Sequence, residues 1–172
     1  FKTSGSADIV TLSNQYWGTN NKDKIKQKYV DFTTNAGAPY FNIEPKLVAP
    51  SDSCPGHVWK VLVNGKDAQD EVVDPLGVGK HRFDVYFNRP MKKNVLPQVS
   101  FGGIYPYTSI PINEEGSWWE DGKIYTVYKT IKLTTGDGIN RIRVAKAIQD
   151  TDWGWEIPVE DMRFEFLISA AS

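Results

Sequence analysis

The sequence predicts an all-β protein with almost no helix. Its most informative stretch runs from Phe83 to Met91, where apolar Phe83, Val85 and Phe87 alternate with Asp84, Tyr86 and Asn88. That period of two is typical of a half-buried strand, and Pro90 ends it because proline has no N–H for a strand ladder. About seven short strands follow one another in the chain, with turn residues roughly every 8–12 positions. The chain is therefore expected to fold into packed β-sheets.

Composition excludes several classes of protein. The chain has 172 residues, of which 40% are hydrophobic and 24% charged, as in ordinary globular domains. A net charge of −1 gives no attraction to nucleic acid, and no apolar run approaches the ~18 residues of a membrane-spanning helix. We therefore expect neither a nucleic-acid partner nor a membrane span. Cys54 is the one cysteine, so no internal disulfide forms, which fits a cytosolic protein and an exported one equally.

One short amphipathic helix is predicted over residues 20–31. Ile25 and Tyr29 are four residues apart, so they share one face, and Phe32 completes this apolar stripe. Either of the two asparagines at the start, Asn20 or Asn21, is suited to cap the helix.

The N-terminal segment resembles a known architecture. A strand at residues 8–12 is followed by Ser13–Thr19, by the helix ending at Asp31, and by an extended piece that closes on Glu44–Pro45. This order resembles the last coil and C-terminal cap of a right-handed parallel β-helix of the pectate-lyase-like kind. The resemblance implies an upstream β-helix domain in the same parent chain, since single coils need neighbours to bury a core. Residues 1–50 would then be a remnant of that β-helix, with a frayed start at residues 1–7.

A linker separates this remnant from the rest. The segment Ala49–Gly56 contains two prolines, one glycine and no apolar periodicity. We therefore divide the chain into residues 1–50, a linker at 51–56 and a second domain at 57–172.

The second domain is built from predicted strands joined by turns. The first ends at the Asn64–Gly65 pair, a hairpin signal, and a polar connection follows. Residues 116–122 are interpreted as a hairpin connection whose turn is Asp121–Gly122. The remaining predicted strands cover residues 57–65, 81–88, 98–101, 123–131, 139–145 and 163–169, with an edge segment at 106–111.

Residues 57–172 resemble a bacterial immunoglobulin-like domain of the kind found in S-layer and modular secreted proteins. The segments that carry the resemblance are Phe83–Met91, Val99–Phe101, Trp118–Thr126, Thr135–Val144 and Ile157–Phe166. The chain departs from the family pattern at Trp118–Trp119 and at Trp153–Gly154–Trp155. The resemblance implies an immunoglobulin-like sandwich of about seven strands, a secreted or cell-surface location, and a spacer or scaffold role. That family shares no catalytic residues, so none is assigned.

Four tryptophans are the candidate binding residues. Trp153 and Trp155 are two apart in a predicted loop, so on an extended backbone both would face the same way and offer a flat aromatic pair to a sugar. Trp118 or Trp119 would join them. The competing interpretation, which we favour from sequence, is that one tryptophan of each pair packs into the end of the sandwich or against residues 1–50.

No catalytic, metal or cofactor site is expected. Asp150, Asp152, Glu156, Glu160 and Asp161 are oxygen ligands of the type that Ca²⁺ prefers, but they lack the glycine spacing of a calcium loop. His57 and His81 are the only histidines, and no Gly-x-Ser-x-Gly, phosphate-loop or zinc motif is present.

The sequence thus predicts a non-catalytic structural or accessory module of a larger exported bacterial protein, associated with polysaccharides. Two alternatives stay open. One is a carbohydrate-binding module that uses the loop tryptophans, and the other is the C-terminal part of a β-helix polysaccharide lyase.

Overall fold

The structure, a computed structural model, describes residues 9–30 and 35–171. The fold is mostly β, and the chain separates into two compact units, residues 1–51 and 52–172. The frayed start expected at residues 1–7, and the predicted end of the helix at Asp31 with its stripe residue Phe32, lie outside the described residues.

The first unit contains one pair of parallel strands. Strand β1 is Ile9–Thr11 and strand β2 is Tyr40–Asn42, with Ile9 opposite Tyr40 and Thr11 opposite Asn42. Parallel strands need a crossover connection, and here the connection carries the helix α1, Lys22–Lys26. Both strands are only three residues long.

The helix begins as predicted and ends earlier. Of the two candidate caps the structure selects Asn21, whose side-chain oxygen accepts hydrogen bonds from the N–H groups of Asp23 and Lys24 at 2.9 and 3.2 Å. The Gln27 N–H still bonds four residues back, to the Asp23 oxygen, but the Lys28 N–H bonds to the Ile25 oxygen three residues back. This tighter turn ends the α-helix at Lys26. No helix within the described part of the chain has the length and apolar character to cross a bilayer.

The aromatic residues of the first unit pack on one another. The Tyr29 ring lies between Trp17 and Phe41, with centroid distances of 5.8 and 5.3 Å, and Ile25 is completely buried. The predicted pairing of Ile25 with Tyr29 on an apolar face therefore positions Ile25 in the small core of this unit.

The second unit consists of two antiparallel sheets. Its strands are β3 (Val58–Val63), β4 (Lys66–Asp67), β5 (Gly79–Phe87), β6 (Gln98–Gly102), β7 (Ile110–Pro111), β8 (Glu114–Trp119), β9 (Ile124–Ile131), β10 (Gly138–Ala145) and β11 (Glu165–Ile168). One sheet has the order β4-β3-β5-β9-β8, and the other has the order β11-β10-β6-β7.

The predicted central strand lies in the middle of the larger sheet. Phe83, Val85 and Phe87 are buried, as their alternation predicted. The two sheets pack face to face, because Phe166 of β11 contacts Phe83 of the opposite sheet at 5.6 Å and Phe101 of its own sheet at 5.1 Å. These rings form the centre of one continuous core.

The predicted turns are present, and one predicted connection is wrong. Asn64 and Gly65 both have positive φ, 49° and 83°, which is the backbone of a type I′ hairpin turn between β3 and β4. Asp121 and Gly122 also form a turn. However, the residues just before it are strand rather than connection, since Ser117 to Trp119 pair with β9.

The second unit also has more strands than the seven expected. The two additional ones are β4, which is only two residues long, and β8, most of which was predicted as a connection. Strand β7 lies within the predicted edge segment 106–111; it contains Pro111 and is at the edge of its sheet, where a missing N–H is tolerated. A strand as short as β4 has too few residues to show a period of two, so the sequence pattern could not reveal it.

Candidate functional site

A β-hairpin at residues 148–156 presents two of the four candidate tryptophans. Ile148 and Glu156 pair across its base, and the Gln149 N–H donates to the Trp155 oxygen at 2.9 Å. At the tip the Gly154 N–H donates to the Thr151 oxygen at 3.0 Å and closes a tight turn. Trp153 lies inside this turn, and Trp155 follows it.

The local sequence explains the turn. Gly154 has a φ of +58°, in the left-handed region that glycine adopts at little cost. The Thr151 hydroxyl also accepts a hydrogen bond from the Gly154 N–H at 3.2 Å. The turn is therefore specified by a threonine and a glycine three residues apart. Its formation does not require the tryptophan side chains.

The hairpin is fixed to the connection between β5 and β6. The Lys92 N–H donates to the Ile148 oxygen at 2.8 Å, and the Asp150 N–H donates to the Pro90 oxygen at 3.0 Å. The buried Gln149 side chain accepts a hydrogen bond from the Gly56 N–H at 3.2 Å. Two segments distant in sequence, the β5–β6 connection and the segment at Gly56, therefore hold the hairpin in place and fix its tip.

Both tryptophans of the hairpin are exposed, which corrects the expectation that one would pack into the sandwich. Trp153 is 83% exposed and Trp155 is 66% exposed. The extended backbone that was expected to orient the rings is also wrong, because Trp153 lies in a tight turn. Large exposed apolar side chains that come in groups mark interaction sites, so this tip is the candidate site of the molecule.

The other two candidates lie on opposite faces of β8. Trp118 packs in the core, with its ring 5.0 Å from Tyr125 and 5.6 Å from Phe87. Its indole N–H is buried and makes no hydrogen bond to the described residues. One tryptophan of this pair is thus partly buried and packed against the core, as expected.

Trp119 belongs to a polar network on the outer face of the larger sheet. Its indole N–H donates to the Thr126 hydroxyl at 2.7 Å, and that hydroxyl donates to the buried Asp84 carboxylate. Arg82 also binds Asp84, and this hydrogen bond raises the pKa of the guanidinium. No aromatic contact joins Trp118 or Trp119 to the hairpin tryptophans within the described ranges.

The structure adds one residue that the sequence did not indicate. A methyl group placed on Gly154 would lie 2.9 Å from the Lys92 Nζ, so the Lys92 ammonium lies against the backbone between the two tryptophans. Nothing in the local sequence distinguishes Lys92 from Lys93, because the contact depends on how the β5–β6 connection pairs with the hairpin.

The acidic residues around the hairpin do not converge on one point. Glu156 pairs with Lys146 at 3.3 Å, and Glu160 pairs with Arg163 at 3.1 Å. Across the described residues there is no group of three or more His, Cys, Asp or Glu side chains that could hold a metal ion.

Neither histidine is positioned beside a nucleophile. A ring nitrogen of His57 is 2.9 Å from the Pro55 oxygen, and His81 contacts Asn64 and the Gly77 oxygen. Both rings therefore serve in local backbone and turn contacts.

The chemistry that the site offers is non-covalent. Two indole faces, a lysine ammonium and the carboxylates of Asp150 and Asp152 can stack on and hydrogen-bond to a ligand. Comparison of the chain with protein-family models, with curated proteins and with solved structures finds no match in any of the three. The function is therefore argued from the site.

Proposed function

We propose that residues 52–172 form a non-catalytic polysaccharide-binding module of a larger exported or cell-surface protein, with Trp153 and Trp155 as its binding residues. The observation that carries the proposal is the exposure of both indoles at the tip of a hairpin that two other segments hold in place. Indole is flat and has only two rotatable bonds, so a fixed indole loses little entropy when a ligand binds. Its electron-rich face attracts the C–H groups on the flat side of a sugar ring.

The fold that we propose for this unit is immunoglobulin-like. The strand order supports it: β3-β5-β9-β8 has the order of strands A, B, E and D, and β6-β10-β11 has that of strands C, F and G. In this assignment the β5–β6 connection is the B–C loop and the tryptophan hairpin belongs to the F–G loop. These two loops meet at one end of an immunoglobulin-like sandwich, where variable domains carry binding residues.

A carbohydrate suits the tip better than a peptide does. Peptides are usually bound by an open strand edge or by an apolar groove. Here the backbone N–H groups of Gln149 and Gly154 are used inside the hairpin, and so they are not offered to a new strand. The side chains next to the indoles, Asp150, Thr151 and Asp152, are short and polar, which suits the hydroxyl groups of a sugar.

For residues 9–51 we propose the end coil of a parallel β-helix. The support is the parallel pairing of β1 with β2 through a crossover that contains α1, since stacked parallel strands are the repeating feature of that architecture. The proposal expects a structure of the parent protein to show further coils in parallel register with β1. An upstream domain of any other fold would contradict it.

Truncating either indole should abolish most of the binding. We expect Trp153→Ala and Trp155→Ala each to weaken affinity for a soluble polysaccharide at least tenfold, because tryptophans at the centre of a binding site typically contribute about 2 kcal/mol or more. Isothermal titration against a panel of plant and bacterial polysaccharides measures this. Both variants should unfold at the temperature of the wild type, since neither side chain is packed.

Tyr105→Ala is the matched control. Tyr105 is also an exposed aromatic residue, in the β6–β7 loop, and β6 pairs with β10 so that Gly102 lies opposite Arg141 and Gln98 opposite Ala145. The loop after Gly102 is therefore at the far end of the sheet from the hairpin, and this variant should bind like the wild type. Equal affinity of the Trp153→Ala variant and the wild type would contradict the proposal, as would the absence of binding to every polysaccharide. In the latter case the indoles would be contacts to another protein domain.

A further inference from the structure

The ammonium of Lys92 lies at the centre of the tryptophan hairpin. The ideal position of a Gly154 Cβ is 2.9 Å from the Lys92 Nζ and 3.6 Å from its Cε. The end of the lysine side chain therefore lies against the backbone of Gly154, the residue between Trp153 and Trp155. The Lys92 N–H is bonded to the Ile148 oxygen at 2.8 Å, which fixes the start of this side chain. Its position is therefore set by the same pairing that holds the hairpin.

This ammonium has no partner among the residues that the structure describes. No carboxylate lies within the 4.0 Å of an ion pair, although Asp150 and Asp152 belong to the same hairpin. Of the other charges on or beside the hairpin, Glu156 is paired with Lys146, whereas Asp150 and Asp152 are exposed and make no ion pair with a described residue. Lys92 is partly buried, and a charge that has lost part of its water without gaining a counterion is poised to bind an anion.

We propose that Lys92 is a ligand-binding residue of this site and that the polysaccharide it takes is anionic, with a carboxylate or sulfate group that reaches the Lys92 ammonium while neighbouring sugar rings stack on Trp153 and Trp155. This inference rests on the proposed function and adds the class of the ligand. The Lys92 ammonium makes the site selective for charged polysaccharides. The indoles contribute stacking, which charged and neutral polysaccharides make equally.

Polysaccharides that share a backbone and differ in charge test the inference. Carboxymethyl cellulose, cellulose sulfate and hydroxyethyl cellulose form one set, and carboxymethyl dextran, dextran sulfate and dextran form another. We expect a charged member to bind about tenfold more tightly than its neutral counterpart, the effect of one charge-assisted hydrogen bond. The carboxylated and sulfated members distinguish the two sources of charge. Raising the salt concentration should reduce the preference.

Variants at position 92 test whether Lys92 is the residue that gives the preference for charged polysaccharides. Lys92→Met keeps the stem and removes the charge, so the preference for charged members over neutral ones should disappear. Lys92→Arg should retain the preference. Lys93→Met is the matched control, because Lys93 is exposed and its side chain lies near Gly122 instead of Gly154. Circular dichroism and thermal unfolding establish that each variant is folded.

The outcomes separate this inference from the proposed function. Binding of neutral and charged members with equal affinity, lost in Trp153→Ala, would overturn the inference alone. A preference for charged members that survives in Lys92→Met would overturn the assignment to Lys92. Binding to no polysaccharide, either in these two sets or in the wider panel, would overturn the proposed function and this inference with it.

Discussion

Replacing Phe166 by alanine is expected to remove about 3–5 kcal/mol from the free energy of unfolding, the usual cost of deleting a buried aromatic ring. Phe166 lies at the centre of the core, where its ring contacts Phe83 of the opposite sheet and Phe101 of its own. The surrounding residues belong to two sheets whose backbones are fixed by hydrogen bonds, so they cannot collapse into the space left behind. Domains of this size are stable by only about 5–15 kcal/mol. The variant should therefore unfold at a much lower urea concentration.

The neighbouring residue provides the control. Leu167 is in the same strand but on the opposite face, where it is 40% exposed. Leu167→Ala should change the free energy of unfolding by less than about 1 kcal/mol, because its side chain lies outside the core and is already partly in water. Urea unfolding followed by circular dichroism measures both variants. Equal losses in the two variants would contradict the packing of the two sheets about Phe166.

The fold was predictable from sequence wherever one short segment carried enough information by itself. Phe83, Val85 and Phe87 repeat with the period of a strand, and they are buried in the central strand of the sheet. Asn64–Gly65 has the residue types that a type I′ turn requires, because both positions have positive φ. In each case the preference arises within a few residues of backbone.

Prediction failed where the outcome depends on distant partners. Trp118 and Trp119 were assigned to a hairpin connection whose turn is Asp121–Gly122, yet their pairing with Tyr125 and Ile124 makes them strand. Whether Trp153 is exposed depends on what lies opposite the hairpin tip, which a local pattern does not encode. Lys92 could be found only after the β5–β6 connection had been placed against residues 148–150.

The same dependence on distant partners explains why a rigid site can form on loops. The β5–β6 connection is bonded on one side to the tryptophan hairpin and on the other to the β8–β9 turn. Met91 pairs with Gln149 at the hairpin, and the Met91 N–H donates to the Gly122 oxygen at 3.0 Å. The turn at Gly122 therefore supports the connection that supports the site, although Gly122 itself is not part of the site.

Replacing Gly122 by alanine should accordingly affect both stability and binding. Gly122 has a φ of +82°, and a Cβ at this position would lie 2.7 Å from the Met91 oxygen, a backbone atom that cannot rotate away. A left-handed backbone costs a residue with a Cβ about 1–2 kcal/mol. The steric overlap adds about 1–3 kcal/mol. We expect a total loss of about 2–5 kcal/mol, together with weaker polysaccharide binding, because Met91 and Lys92 must move.

Gly65→Ala separates the conformational cost of the left-handed backbone from the cost of the steric overlap. Gly65 has nearly the same φ, +83°, but no atom lies within 4 Å of the position where its Cβ would be. This variant should therefore lose only the conformational part, about 1–2 kcal/mol, and should bind polysaccharide like the wild type. Urea unfolding and isothermal titration compare the two. Similar losses of stability in both variants would show that the contact with Met91 contributes nothing. A destabilised Gly122→Ala variant that binds normally would show that the hairpin keeps its geometry without support from the β8–β9 turn.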